Sequence, residues 1–144
     1  MLKPENIPDE LKTLPRWVCY RLPDKTPLNP RTGGNAGSTL PGTWADYETA
    51  AEAVTRLGCT GIGFVLGGGI VGIDVDHCID GATGELNEVA AAVLAATKSY
   101  AELSPSGTGL HILCRGNKPG AACKNTAAGF EMYAEGRYFT VTGN

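Results

Sequence analysis

Apolar and polar positions divide the chain into short segments of distinct period. IPDELKTL reads as a short helix starting after Pro8, and RWVCYRL as a strand of aromatic and β-branched residues. A long Pro/Gly/Asn-rich stretch follows, PDKTPLNPRTGGNAGSTLPG; loops of this length inside a compact domain are often functional. ADYETAAEAVTRLG predicts the clearest helix, alanine-rich, with acids in its first turn, Arg56 late and Gly58 as the stop. TGIGFVLGGGIVGIDVD predicts two strands joined by a glycine turn around Gly67–Gly69, and NEVAAAVLAATK another helix. KSYAELSP and GLHILCR predict a strand pair separated by an SPSGTG turn. GFEMYAEGRYFTVTG predicts a last hairpin turning near Glu135–Gly136. The expected class is α+β, with mostly antiparallel strands and helices on one face.

The chain has 144 residues, enough for one domain with one hydrophobic core, so residues 1–144 are expected to form a single domain. Its apolar content of 42% against 19% charged residues excludes an intrinsically disordered chain. No apolar run approaches the roughly 20 residues a membrane span requires. The N-terminal MLKPENIPDELK lacks the apolar centre of a signal peptide, which makes the cytoplasm the expected location. The five cysteines form neither a CxxC pair nor a zinc-knuckle spacing and are expected to be reduced and packed as small apolar residues.

The net charge of −3 is unevenly spread. Residues 1–31 carry six basic and four acidic side chains, residues 32–110 two and nine, and residues 111–144 four and two. An acidic middle with mildly basic flanks suits a carboxylate metal site bordered by phosphate-contacting groups. It does not suit tight unaided binding to DNA, because few phosphates could be neutralised. Charge alone is equally consistent with an ordinary acidic surface.

Three segments carry candidate chemistry. In GIDVD, strand alternation points Asp74 and Asp76 the same way and Val75 toward the core. Two close carboxylates repel each other, and a divalent cation removes that penalty. The plainer alternative is a solvated strand end. A calcium loop starting at Asp76 fails, because Cys78 and Asn87 fall where oxygen ligands and a glutamate are needed. In SPSGTGLHI, glycines at Gly107 and Gly109 can expose backbone N–H groups to a phosphate, and Ser106 and His111 can donate to its oxygens. The alternative is a Gly-rich hairpin followed by a buried histidine. In GFEMYAEGRYFTVTG, Glu131 and Tyr133 share one strand face, and Phe130 and Met132 the other. An acid between two large apolar residues points to water or a cation. Arg137 on the returning segment suits phosphate, or else pairs across the strands with Glu131. Glu135 reads as a turn residue and His77 as a structural or surface residue.

In this order the segments resemble the motifs of the archaeo-eukaryotic primase superfamily, and more narrowly the primase-polymerase N-terminal domains of phage and plasmid replication proteins. Asp74-Val75-Asp76 matches the paired acids, Ser106 with His111 the serine–histidine motif, and Phe130-Glu131 the third acid. RWVCYRL, KTPLNPRTGG and TWADYETA extend the likeness across nearly the whole chain. The resemblance implies a primase core around an RRM-like, mostly antiparallel sheet with flanking helices. It implies metal-dependent nucleotidyl transfer from nucleoside triphosphates on a single-stranded DNA template. Asp74, Asp76 and Glu131 would hold two Mg²⁺ or Mn²⁺ ions, and His111 with Ser106 and Gly107 would contact the triphosphate. Arg137, Lys25 and Arg31 are further candidate nucleotide or template contacts. Family members usually continue into a helical subdomain and a helicase region, which leaves three readings of this chain: an excised domain of a longer replication protein, a truncated gene product, or a stand-alone minimal form. A non-catalytic nucleotide- or nucleic-acid-binding module is the alternative. A strand-nicking initiator is disfavoured, because the two histidines, His77 and His111, form no H-x-H pair.

Overall fold

The computed structural model describes residues 2–75, 77–80, 82–97, 100–104, 107–115, 124–125 and 130–143. They form two compact units, one of residues 1–66 with 135–144 and the other of residues 67–134.

The first unit holds helix α1 (Asp9–Lys12), strands β1 (Trp17–Tyr20) and β2 (Pro27–Leu28), helix α2 (Tyr47–Leu57), and β3 (Gly61–Val65). The final strand of the chain, Tyr138–Val141, completes its sheet. All pairings are antiparallel, in the order β2, β1, β3, final strand. Helix α2 starts where the Asp46 carboxylate accepts the Thr49 N–H at 3.2 Å, and it stops at Gly58, whose φ of 65° few other residues adopt cheaply. Its Ala50 and Ala53 are fully buried, a flat face that lets the helix lie against β1 and β3. Trp17 anchors the core: it is fully buried, meets Tyr47 and Phe64 edge-to-face at 5.1 and 5.2 Å, and its indole N–H donates to the Leu11 carbonyl.

The second unit holds β4 (Ile70–Val75), α3 (Glu88–Thr97), β5 (Tyr100–Leu103), β6 (Leu110–Arg115), β7 (Lys124–Asn125) and β8 (Phe130–Tyr133). Tyr138–Val141 is therefore β9. The sheet order is β5-β6-β4-β8-β7, antiparallel throughout. Period-2 alternation divides its faces. Ile73, Val75, Leu110 and Ile112 form one core with Cys78 and α3's Ala90, and Leu94, Ala101 and Met132 pack against it. The opposite face carries the polar side chains.

The α+β class, the mostly antiparallel pairing and the β5–β6 hairpin match expectation. The other two hairpins do not form. β3 and β4 flank the glycine turn yet belong to different sheets, and so do β8 and β9 around Glu135–Gly136. Gly67–Gly69 all have positive φ, but the only pairing there is the isolated Gly67–Ile70 bridge. These turns carry the chain between sheets. The helices correspondingly do not cover one face of one sheet: α2 contacts β1 and β3, whereas α3 contacts β6. The long loop contains β2 and a 3₁₀ turn at Pro41–Thr43.

Among the described residues, Cys19, Cys59, Cys78 and Cys114 are thiols outside any disulfide, with Cys19 and Cys78 buried. Cys123 lies outside the described residues. Burial pushes the Cys19 thiol up to about 12, and the neighbouring Cys59 adds in the same direction. The folded chain keeps this proton where an unfolded thiol, with pKa about 8.5, loses it, so Cys19 makes stability fall as pH rises above that value. Pulsed alkylation at pH 8 read by mass spectrometry should leave Cys19 and Cys78 unlabelled in the native chain and labelled after unfolding. Among the described residues, no helix is long and apolar enough to cross a membrane.

Gly63 gives the sheet of the first unit a close approach that a side chain would block. A Cβ there would stand 2.7 Å from Tyr138 Cε2 and 3.0 Å from the Phe139 carbonyl oxygen. Gly63→Ala should lower unfolding stability by about 1–3 kcal/mol in urea titrations, the usual range for overpacking.

Candidate active site

β4 is the middle strand of its sheet, with β6 on one side and β8 on the other. Register places Asp74 directly opposite His111 on β6 and directly opposite Glu131 on β8. The row continues outward: Glu102 of β5 stands opposite His111, and Lys124 of β7 opposite Glu131. Directly opposed residues share a sheet face, and neighbouring strands run about 4.8 Å apart. Five polar residues from five strands thus fall on one line of register across the sheet, and Glu102, His111, Asp74 and Glu131 lie on the face away from α3. Beneath this line, two positions back along β4, a second row runs through Tyr100, Leu113, Gly72 and Tyr133.

The side chains interact along and between the rows. His111 Nε2 lies 3.7 Å from Asp74 Oδ1, with the imidazole 12% and the carboxylate 25% exposed. The Tyr133 hydroxyl donates to Glu131 Oε2, and the Tyr100 hydroxyl donates to Glu102 Oε2 at 2.5 Å. Each outer acid is therefore held by a tyrosine two residues away on its own strand. Gly72, without a side chain, lies between Leu113 and Tyr133 in the second row.

Residues following β4 are tied to the turn that precedes His111. The Cys78 and Ile79 N–H groups both donate to the Thr108 carbonyl, at 2.9 and 3.1 Å. That turn is closed by Ser104, whose N–H donates to the Gly109 carbonyl and whose hydroxyl accepts the Gly109 N–H. Gly107, at φ 79°, donates back to the Ser104 carbonyl. The Asp80 carboxylate accepts the Ala82 and Thr83 N–H groups, an ordinary turn role. Asp76 and Ser106 lie outside the described residues. Among the described residues, no group of three or more His, Cys, Asp and Glu side chains is placed to hold a metal ion. The donor types nevertheless suit a hard divalent cation: Asp74 and Glu131 present carboxylate oxygens one strand spacing apart.

The chain is 38% identical over 136 residues to the DNA primase-polymerase of Nitratiruptor phage NrS-1. The aligned region takes in 89% of this chain and spans 19% of the length of that relative. No family model matches the sequence.

The chain is similar to a phage primase-polymerase.

Set against that likeness, the sequence-predicted residues divide in two. Asp74, His111 and Glu131 come together in one row. Lys25, Arg31 and Arg137 belong to the other compact unit and are exposed there. All three have structural contacts in that unit: Arg31 Nη1 donates to the Trp44 carbonyl at 2.6 Å, the Lys25 carbonyl accepts the Tyr138 hydroxyl, and the Arg137 carbonyl accepts the Leu66 N–H at 2.9 Å. β8 and β9, which carry or border Glu131 and Arg137, belong to different sheets. His77 is exposed at φ 49°, consistent with a surface position, and Glu135 is an exposed turn residue.

Glu102 was not singled out by motif, although it is 3% exposed and opposite His111. The available signal was hairpin register: pairing KSYAELSP with GLHILCR across the intervening turn places this glutamate against the histidine. Tyr133→Phe removes the donor to Glu131 while keeping the ring. It should cost about 1 kcal/mol of unfolding free energy, the typical value of one hydrogen bond, read from denaturant titration.

Proposed function

We propose that this chain carries the nucleotidyl-transfer centre of a DNA primase-polymerase, joining nucleoside triphosphates on a single-stranded DNA template. The observation that carries this reading is the cross-strand row of Asp74, His111 and Glu131, drawn from three separated segments. The likeness to the phage enzyme supports the same reaction class, and the motif resemblance supports a primase core.

In this reading Asp74 and Glu131, joined by Asp76, hold Mg²⁺ or Mn²⁺. Two such ions supply activation of the attacking hydroxyl and charge neutralisation at the α-phosphate. The protein's own part is placement and electrostatics. β4 and β8 fix two carboxylates one strand apart, and Tyr133 holds Glu131 in orientation. His111, beside Asp74 and after the glycine turn, donates to a triphosphate oxygen, with Ser106 and the Gly107 backbone close in sequence. Lys25, Arg31 and Arg137 are proposed as outlying contacts to nucleotide or template. A helicase region or protein is a further proposed partner.

A non-catalytic module on the same scaffold would bind triphosphate without incorporating it. Labelled nucleotides, single-stranded DNA and Mn²⁺ separate the two readings. The native chain should yield extended product, and Asp74→Asn or Glu131→Gln should reduce the rate by at least about a hundredfold, the scale for losing a preorganised charge contact. Both variants should keep the native circular dichroism spectrum and lose Mn²⁺ affinity in electron paramagnetic resonance titrations. Full activity in Asp74→Asn would refute the metal assignment.

A further inference from the structure

Glu102 is a charged side chain at 3% exposure on β5, which lies at the edge of its sheet. Withdrawing a carboxylate from water is costly, and an apolar residue of similar size usually serves packing as well or better. A glutamate is retained at such a place when its charge or hydrogen bonding is used. The geometry around it is specific. Register sets it directly opposite His111, where Cβ atoms of opposed residues lie about 4.5–5.5 Å apart. The Tyr100 hydroxyl fixes one of its oxygens from the row beneath. His111 turns its Nε2 edge to Asp74, on the β4 side, while Glu102 stands on the β5 side. Glu102 is two strands from Asp74 and three from Glu131, roughly 10 and 14 Å at the usual strand spacing, too far to share a cation with Glu131.

We propose that Glu102 is a positioning residue: from the strand next to His111, and itself held by Tyr100, it fixes the orientation and tautomer of the imidazole that meets the triphosphate. The task assigned to His111 rests on the nucleotidyl-transfer reading, whereas the Glu102–His111 pairing does not. With a carboxylate opposite it on each neighbouring strand, the imidazole has its favoured orientation set by charge, which keeps one N–H at a fixed place on the sheet face. Tyr100, Glu102, His111 and Asp74 then act in sequence across three strands. Only His111 and Asp74 face the reacting groups.

The test has two independent readouts on the whole chain. The first is the ¹⁵N-imidazole spectrum at one fixed pH, without nucleotide or metal. The chain has two histidines, and His77→Asn, at a position of positive φ that asparagine tolerates, identifies the His111 signals. Glu102→Gln, nearly isosteric, should move the His111 nitrogen signals and leave those of His77 in place. Tyr100→Phe should move the same signals less and in the same sense. The second readout is steady-state incorporation with Mn²⁺. Glu102→Gln should raise the triphosphate KM by about tenfold and change kcat by less than about threefold, the pattern of lost ground-state orientation. Adding Glu102→Gln to His111→Ala should cost nothing more than His111→Ala alone, because the two act as one unit. Unmoved His111 signals in Glu102→Gln, or a penalty that persists without His111, would overturn the proposal. If no form of the chain makes product, the nucleotidyl-transfer reading fails. The imidazole signals still decide the pairing: moved, they uphold Glu102 as His111's holder; unmoved, they end it.

Discussion

The antiparallel pairing of β4 with β6 on one edge and β8 on the other is the constraint on which the site depends. One residue of β4, Asp74, is opposed on both sides at once, by His111 and by Glu131. A slip of one residue along either ladder would turn the polar side chain of the slipped strand toward α3 and bring its apolar neighbours, Ile112 on β6 or Met132 on β8, out to the other face. The apolar face therefore guards the chemistry: Ile73, Val75, Leu110 and Ile112, buried with Ala90, hold the register that aligns the acids.

That alignment works against stability. Like charges directly opposite each other on a sheet are unfavourable, and Asp74 faces Glu131. The sheet carries this arrangement with local compensation. His111 lies beside Asp74, and tyrosine hydroxyls donate to Glu131 and Glu102. A cation between Asp74 and Glu131 would relieve the remaining repulsion, which links metal binding to the same register.

The division into two units also separates the candidate residues. The second unit contains the acid–histidine row, whereas Arg31 and Lys25 belong to the first, in a loop tied down by the Trp44 carbonyl and the Tyr138 hydroxyl. The Pro/Gly-rich stretch thus gains order through the short strand β2, a 3₁₀ turn and the Arg31 contact.

Much was legible in the sequence alone. Local signals determined α2, through Asp46, its alanines and Gly58, and determined that Asp74 and Val75 face opposite ways. Motif order pointed to Asp74, His111 and Glu131 as one group, and register sets them in one row. Glu102 was within reach of hairpin register but carried no motif of its own. What the tertiary structure decided was the pairing partner of each strand. Glycine turns at Gly67–Gly69 and Gly136 permit a hairpin equally well as a passage to another sheet, because φ sets the bend and not the destination. β3 and β9 found each other across most of the chain, and β8 joined β4, since burying the opposite faces of two sheets depends on residues far apart in sequence. Composition and period bound each segment's own conformation; only long-range burial chose its neighbours, and with them the row on which the proposed chemistry stands.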